Sequence, residues 1–405
     1  MTNWKKTFGI IWTGQFLSIL TSMIVNFAII LWLSFETRSA EVLAFGSIAA
    51  LLPQTVLGFF VGVFIDRWNR KKVMMLSDSF IAFCTLILAV LFYFGAAQIW
   101  HIYILLALRS VGSAFHMPAM EASVPLIAPE SQLMRIAGIN QMIHSAGSIA
   151  GPALGALFIT MMDIGYVLLF DVAGAVFAVV SLMFVHIPNP PKNETAINIR
   201  NVWNEMKAGV KVVISQSGMK YLFLFSVIAT FCIMPVSVLF PLMTLDHFGG
   251  NAYQMSLIEA IWGVGALFGG AVLGVRKFEV NKVILINAMY LTLGLSFLLS
   301  GLLPANAFYM FVILTSFGGV AGAVYSSSFT AIIQEKIDPA ILGRIFSMFM
   351  SVSLLPAMIG LLGTGFMADT IGLTTTFVIM GGIICLIGII SFFIPSLMTL
   401  DKKSV

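Results

Sequence analysis

Two long apolar segments are separated by the short charged turn Gly62-Val-Phe-Ile-Asp66-Arg67-Trp-Asn69-Arg70-Lys71-Lys72. Charged residues make up only 9% of the chain, yet five of them lie between positions 66 and 72. Four of the five are basic, so the turn cannot lie in hydrocarbon and is predicted on the cytoplasmic side of a membrane. Because successive spans cross the membrane in alternate directions, the side assigned to this turn also assigns a side to every other loop.

The composition excludes a soluble globular protein. Hydrophobic residues make up 60% of the 405 residues, whereas a soluble domain is about half apolar and about a quarter charged. The chain is therefore predicted to be an all-α integral membrane protein, with room for about twelve spans of roughly 20 residues. The net charge of +4 is explained by basic loops, so we expect no nucleic-acid partner. The three cysteines have neither disulfide nor metal-ligand spacing.

Apolar runs between charged or turn-forming residues predict twelve transmembrane helices in two halves. The first six lie roughly at 8–34, 42–65, 73–94, 99–121, 136–160 and 166–187, and the second six roughly at 219–245, 252–275, 282–302, 306–330, 345–368 and 373–395. Residues 1–188 and 219–405 are thus two predicted six-helix bundles, joined by a cytoplasmic linker at 189–218. Apolar residues at helical spacing from Ile199 to Ile214 predict an amphipathic linker helix on the inner leaflet, although a calmodulin-like partner would recognise the same pattern.

Basic residues indicate the orientation of these spans. If both termini are cytoplasmic, 19 of the 21 lysines and arginines lie in cytoplasmic segments, leaving Arg38 outside and Arg109 within span 4. This distribution follows the positive-inside rule. We therefore expect a multi-pass membrane protein with both termini in the cytoplasm.

The two halves also repeat. Gly112-Ser-Ala-Phe115 leads through Ala128-Pro129 to Arg135 in the first half, and Gly322-Ala-Val-Tyr325 leads through Asp338-Pro339 to Arg344 in the second. Two parallel six-helix repeats with a central substrate site are the architecture of major facilitator transporters. The predicted fold is therefore two pseudo-symmetric six-helix bundles.

Three motifs together resemble those of drug:proton antiporters of the major facilitator superfamily. They are the 62–72 turn, Arg109-Ser-Val-Gly112, and Gly147-Ser-Ile-Ala-Gly151-Pro152-Ala-Leu-Gly155. Within that superfamily, the macrolide-efflux branch is resembled by the 62–72 turn together with Trp12-Thr-Gly14-Gln15 and Arg109-Ser-Val-Gly-Ser-Ala-Phe-His116-Met-Pro118-Ala. The resemblance implies a location in the bacterial inner membrane. The turn departs from the family pattern at Asn69, where glycine is usual. Because Asn tolerates a left-handed turn, we expect this departure to be mild.

The resemblance implies a cytoplasmic gate formed by Asp66, Arg67, Arg70 and Lys71. Asp66 ends span 2 and could pair with Arg70 and with the positive N-terminal end of span 11 near Gly343. Such a contact would link the two halves of the chain and hold the cytoplasmic side closed. The alternative is a loop that only its charge keeps inside.

Proton coupling is predicted to use Arg109, Asp171 and Glu259. An intramembrane arginine is costly, so Arg109 should face a wet cavity and modulate a neighbouring carboxylate, or else anchor two helices by a hydrogen bond. Asp171 in span 6 and Glu259 in span 8 are the candidate carriers, because a carboxylate without a nearby cation readily takes up a proton. Interfacial acids remain the alternative for both. Asp78 is interpreted as interfacial, and His116 as a proton relay or a satisfied polar residue.

Helix packing and substrate binding have their own candidate residues. Gly147, Gly151, Pro152 and Gly155 form the antiporter motif of span 5, in which glycines permit close helix approach and the proline bends the helix. A mostly apolar substrate cavity is predicted along span 1, lined by Gln15, Phe16, Met23, Asn26 and Phe27.

These features predict proton-coupled efflux of amphipathic drugs, macrolides first. No Gly-Lys pair is present, so a phosphate-binding loop is not expected, and neither are a cofactor, a metal or an enzyme activity. The expected partners are the small-molecule substrate, protons and the lipid bilayer. Two alternatives stay open: an exporter or flippase of an endogenous compound such as a siderophore or lysolipid, and a non-transporting accessory subunit, for which an accessory ATPase would be the partner.

Overall fold

The computed structural model describes residues 4–37, 40–188, 199–275 and 280–401. Of the basic residues used for orientation, six lie outside these ranges: Arg38, Lys192, Arg276, Lys277, Lys402 and Lys403. The described residues form α-helices joined by short turns. They are α1 (Trp4–Thr37), α2 (Ala40–Arg67), α3 (Arg70–Tyr93), α4 (Ile99–Ile127), α5 (Leu133–Met161), α6 (Ile164–Met183), α7 (Ile199–Ser215), α8 (Ser217–Leu242), α9 (Ala252–Val275), α10 (Lys282–Leu302), α11 (Phe308–Lys336), α12 (Leu342–Ile371), α13 (Leu373–Phe392) and α14 (Pro395–Met398).

The twelve predicted spans correspond to α1–α6 and α8–α13. Within the described residues, ten helices are long and apolar enough to cross a membrane. Two further regions come from α8, which follows the linker helix after a bend of 106°, and from α12, which includes the apolar helical segment Leu342–Ala357 among the described residues. Helices suit this environment because each backbone N–H and C=O is satisfied within its own segment.

The chain divides into two compact units. Unit 1 draws its described residues from Met1–Glu130, Ala146–Gly209 and Ile337–Ser351, and unit 2 from Ser131–Ser145, Val210–Lys336 and Val352–Val405. Unit 1 therefore includes the start of α12, and unit 2 includes the start of α5. The predicted domain boundaries at 188 and 218 remain a prediction.

The helices of the two units pack in the same pattern. In unit 1, α1 and α3 both pack on α6, while α2 and α3 both pack on α4. In unit 2, α8 and α10 both pack on α13, while α9 and α10 both pack on α11. Each contact in the first unit has its counterpart seven helices later, as the internal repeat predicts.

Arginines at equivalent places in the repeat make comparable contacts. Arg135, in the first turn of α5, donates from Nε to the carbonyl oxygen of Gly274 at the end of α9, 2.7 Å away, within unit 2. Arg344, in the first turn of α12, lies 3.5 Å from a carboxylate oxygen of Asp66 at the end of α2, within unit 1. The repeat therefore places a basic side chain against the end of a neighbouring helix in both units.

The reason given for a mild departure at Asn69, its tolerance of a left-handed turn, does not apply. The Asn69 backbone is extended, with φ −66° and ψ 107°, and is not left-handed. Instead, Asn69 is the N-cap of α3, and its side-chain oxygen accepts a hydrogen bond from the Lys72 backbone N–H at 2.9 Å. Asn281 caps α10 in the same way. Asparagine is favoured here because it satisfies an N–H group that the helix leaves unpaired.

The predicted linker helix is present as α7, whereas residues 189–198 lie outside the described residues. One face of α7 is buried at Gly209 and Val213, while Ile214 is exposed. An alanine at Gly209 would place its Cβ 2.8 Å from the Arg344 side chain. The helix thus packs on the aliphatic stem of Arg344, whose guanidinium lies near Asp66 of the predicted gate.

Candidate functional site

Asp66 lies where α2 ends against the beginning of α12. Its two carboxylate oxygens accept hydrogen bonds from the backbone N–H groups of Gly343, at 2.9 Å, and of Arg344, at 3.3 Å. Both N–H groups belong to the first turn of α12, where the helix itself offers them no acceptor, and the helix dipole favours a negative charge at that position. Asp66 is 6% exposed, so the contact is shielded from solvent.

The other predicted gate residues surround this contact. Arg70 is fully buried, lies 3.6 Å from the Asp66 carboxylate, and donates to the carbonyl oxygens of Ala122 and Pro339. It thereby joins α3 to α4 and to the turn before α12. Lys71 donates to the carbonyl oxygen of Val185, 2.8 Å away, just after α6. Arg67 is half-buried at the end of α2.

Two glycines allow α2 and α12 to approach closely. A Cβ at Gly343 would lie 2.6 Å from the Ile65 side chain and 2.8 Å from the Asp66 carboxylate. A Cβ at Gly62 would lie 2.7 Å from the backbone nitrogen of Arg344. Gly62, four residues before Asp66 in the motif, is therefore required for steric reasons, because any side chain there would push α2 and α12 apart.

A second group of residues surrounds Asp171 in the interior of unit 1. Arg109 on α4 is 5% exposed and Asp171 on α6 is 1% exposed, and their nearest charged atoms lie 2.6 Å apart. Thr85 on α3 donates to the same carboxylate at 2.6 Å, and Ser22 on α1 donates to its other oxygen at 2.5 Å. Arg109 also donates to the Thr85 hydroxyl and, at 3.1 Å, to the side-chain oxygen of Asn26.

We call Ser22, Asn26, Thr85, Arg109 and Asp171 the first polar layer. Both oxygens of the Asp171 carboxylate accept a hydrogen bond, one from Ser22 and the other from Thr85 and the Arg109 cation. The sequence proposed Asp171 as an acid without a cation and Arg109 as a cation near some carboxylate. The structure pairs the two.

Asn26 connects the first polar layer to a cavity of unit 1. The cavity has a volume of about 280 Å³ and is lined by α1, α2 and α4. Its walls are mostly apolar and include Ile29, Leu51 and Leu106, and Asn26 is one of its few polar residues. Mostly apolar walls with a few placed polar groups are typical of small-molecule sites.

The other residues predicted along span 1 are divided between different neighbours. Met23 and Phe27 pack against the glycine motif of α5, where a Cβ at Gly151 would lie 2.8 Å from the Met23 Cβ. A Cβ at Gly155 would lie 2.8 Å from the carbonyl oxygen of Ile24. The motif thus brings α5 and α1 into close contact. Gly147 also faces Met23, Pro152 lies within α5, and Phe16 is half-buried on α1.

Gln15 belongs to a further buried group, the second polar layer, which consists of Gln15, Asp78 and His116. Gln15 on α1 donates to the Asp78 carboxylate at 3.2 Å, and the His116 Nε2 lies 3.3 Å from its other oxygen. All three are less than a tenth exposed. The Asp78 side chain, interpreted from the sequence as an interfacial acid, lies inside the protein. No sequence signal linked these residues, which are up to 101 positions apart.

Glu259 lies on α9 of unit 2 with an exposed side chain, and it takes no part in the first polar layer. Its predicted coupling role remains a prediction. Among the described residues, no group of three or more His, Cys, Asp or Glu side chains is arranged to hold a metal ion.

Comparisons with known proteins give consistent results. Residues 11–287 match the sequence model of the Major Facilitator Superfamily. The chain is 36% identical over 401 residues to Macrolide efflux protein A of Streptococcus pyogenes, covering 99% of each protein. It is also 36% identical over 323 residues to Macrolide efflux protein A of Enterococcus faecalis, covering 80% of this chain and 99% of that protein.

Among solved structures, the human organic anion transporter MFSD10 superposes with a TM-score of 0.78. The match covers 96% of this chain and 100% of that one at 15% sequence identity, which is a likeness of fold alone.

Proposed function

This chain belongs to the major facilitator superfamily, and we propose that it exports amphipathic drugs, macrolides first, in exchange for protons. The substrate class rests on the similarity to two proteins named Macrolide efflux protein A, which covers 99% of this chain in one case and 80% in the other. The proposal that export is coupled to proton movement rests on one observation, the buried Arg109–Asp171 pair beside an apolar cavity. Transport proceeds by alternating access, in which the substrate site opens to one side of the membrane at a time.

In this proposal Asp171 carries the proton. Protonation removes its negative charge, and the Arg109 guanidinium then has no buried counter-ion, which is unfavourable in a membrane interior. Arg109 therefore shifts, and its hydrogen bond to Asn26 changes with it. Because Asn26 lines the cavity, proton binding alters the polar contacts offered to the substrate. A macrolide that carries a tertiary amine is cationic at neutral pH, and release of such a drug is favoured when a proton takes its place.

The Asp66 contact serves as the cytoplasmic gate in this cycle. The carboxylate holds the first turn of α12, a helix from the second half of the sequence, against the end of α2. Charge-assisted hydrogen bonds of this kind are strong when formed and are lost together when the helices part. Such a contact has two discrete states, as a transport cycle requires.

We place the protein in the bacterial inner membrane with both termini in the cytoplasm. The support is the concentration of basic residues in the segments assigned to that side. When one proton enters for each cationic drug that leaves, no net charge crosses the membrane, so the pH difference across the membrane drives this exchange.

The test is uptake of a radiolabelled macrolide into inverted membrane vesicles with an acidic interior. Vesicles that contain the chain should accumulate the drug, and an uncoupler should abolish accumulation. Asp171→Asn should reduce uptake to the level of vesicles without the chain. Asp163→Asn is the matched control, because it lies just before the same helix, is exposed, and makes no side-chain capping bond.

Two results would contradict the proposal. Accumulation that survives the uncoupler and depends on added ATP would instead favour an accessory ATPase. Wild-type accumulation by Asp171→Asn would remove Asp171 from the coupling mechanism.

A further inference from the structure

The first and second polar layers are related by a constant spacing on three helices. Gln15 lies seven residues before Ser22 on α1, Asp78 lies seven before Thr85 on α3, and His116 lies seven after Arg109 on α4. Seven residues are nearly two helical turns, so both members of each pair lie on the same helix face, about 10 Å apart. In this topology α4 runs antiparallel to α1 and α3. On all three helices, therefore, going from the first polar layer to the second leads toward the α2–α3 turn.

Each layer contains one buried carboxylate with its own basic partner. In the first layer Asp171 is paired with Arg109, and in the second Asp78 is paired with His116. The difference between the partners is chemical. Arginine keeps its proton under all physiological conditions, whereas histidine gains and loses one near neutral pH. The second polar layer is therefore the one whose basic member can itself exchange a proton.

The second polar layer also has unused hydrogen-bonding capacity. The side-chain oxygen of Gln15 is fully buried and has no hydrogen-bond partner among the described residues. A buried polar atom of this kind is costly unless another state of the protein satisfies it. The amide donates to Asp78 through its nitrogen, so its oxygen is the group left available to accept from a proton-carrying species.

Other ionisable groups lie at the two ends of the stack. Toward one end are Asp171 and Arg109 of the first polar layer. Toward the other are residues of the helices that surround α4 at the α2–α3 turn, namely Asp66, Arg67, Arg70 and Glu121. Between them, Asp78 and His116 face each other. A proton that moves from Asp171 toward this turn therefore meets the Asp78–His116 pair before it meets the gate.

We propose that the Asp78–His116 pair, positioned by Gln15, is a second proton-binding site through which protons released by Asp171 reach the cytoplasm. This inference rests on the proposed proton-coupled function. The proton leaves the Asp171 carboxyl group, is bound by the Asp78–His116 pair, and is then lost to the cytoplasm. Because about 10 Å separates the layers, water must bridge them during the step.

The experiment uses the purified full chain in liposomes and a radiolabelled macrolide. One assay measures uptake driven by an imposed pH gradient. The other measures counterflow, the exchange of labelled for unlabelled drug without a gradient, which needs no net proton movement. Asp78→Asn and His116→Gln should lower gradient-driven uptake by about 100-fold, the lower end of what a positioned proton-transfer group contributes. Both should keep wild-type counterflow.

A third variant tests titration directly. Gln15→Glu places a second carboxylate beside Asp78, and two adjacent carboxylates hold a shared proton to higher pH. The pH at which gradient-driven uptake is half-maximal should therefore rise. Ser123→Ala is the control: it is buried on the same helix as His116 and bonds only to the Ala119 carbonyl oxygen of that helix, so it should behave as wild type in both assays.

The outcomes separate this inference from the function on which it rests. If the wild-type chain is not driven by the gradient, the proposed function fails and the inference fails with it. If the wild type is driven and Asp171→Asn is not, normal gradient-driven uptake by Asp78→Asn and His116→Gln overturns the inference alone. Loss of counterflow in both variants, with an unchanged pH midpoint in Gln15→Glu, would assign the pair a structural role and also overturn it. A shifted midpoint in Gln15→Glu supports the inference even if the other variants fold poorly.

Discussion

Replacing Asp66 by asparagine should open the contact between α2 and α12. The carboxylate accepts two backbone hydrogen bonds from the first turn of α12 and lies within 3.6 Å of Arg70 and 3.5 Å of Arg344. Asparagine keeps one acceptor oxygen but loses the charge. A nitrogen must then replace one oxygen, so at most one of the two bonds survives, and it survives as a neutral bond.

The magnitude follows from these contacts. Hydrogen bonds to a charged group contribute about 1.5–3 kcal/mol and neutral ones about 1 kcal/mol, so the change costs about 3 kcal/mol. A neutral amide is easier to bury than a carboxylate, and this difference offsets about 1 kcal/mol of the loss. The net loss of about 2 kcal/mol corresponds to about a 30-fold larger population of the separated state.

The assay is the rate at which a maleimide labels a cysteine placed at Ser347, in a chain whose three native cysteines are alanine. Ser347 is 1% exposed and lies beside Gly62, so the reagent reaches it only when α12 moves away from α2. When opening is fast compared with labelling, the labelling rate follows the open population. Asp66→Asn should therefore raise the labelling rate by about 30-fold.

Asp338→Asn is the control, because Asp338 is exposed in the turn before α12 and bonds to Ala340 within that turn. An equal increase in this control would show that any change of charge in the turn loosens the helix. An unchanged rate in Asp66→Asn would refute the gate.

Two further predictions concern stability and are measured by thermal unfolding of the purified protein in detergent. Arg109→Ala should lower the free energy of unfolding by about 3–5 kcal/mol, because it leaves Asp171 as a buried charge without its partner; a wild-type melting temperature would contradict the ion pair. Gly155→Ala should destabilise by about 1–3 kcal/mol, because its Cβ would press on the carbonyl oxygen of Ile24. Gly382→Ala, where the added Cβ meets no atom within 4 Å, should show no such loss.

Hydropathy and charge predicted the spans, the repeat and the linker helix, because each of these features depends on the composition of a whole segment. The apolar runs match α1–α6 and α8–α13 to within a few residues at most ends, and the repeat from Arg135 to Arg344 anticipated the equivalent packing of the two units. The amphipathic pattern from Ile199 to Ile214 likewise predicted α7. A bilayer imposes these features locally, since a segment must be long and apolar enough regardless of its neighbours.

The polar interior was predicted only as a set of separate residues. Arg109, Asp171 and Asn26 were each named from the sequence, but their pairing was not, and Asp78 was placed at the membrane interface. The helices that carry them are apolar on nearly every side, so periodicity does not tell which face meets which neighbour. Asn69 shows the same limit at a turn: its identity permitted either a left-handed residue or a helix cap, and the backbone around it selected the cap.

Hydropathy and charge alone indicate a helical membrane protein built from two repeats. They also indicate which segments can cross the bilayer and which few residues are polar enough to need partners there. The partners themselves depend on the folded chain: Arg109 pairs with Asp171, His116 with Asp78, and Asp66 with the start of α12. The reason is physical. Burial in hydrocarbon depends on the composition of each segment, whereas an ion pair or a capped helix depends on atoms brought within about 3 Å from distant parts of the chain.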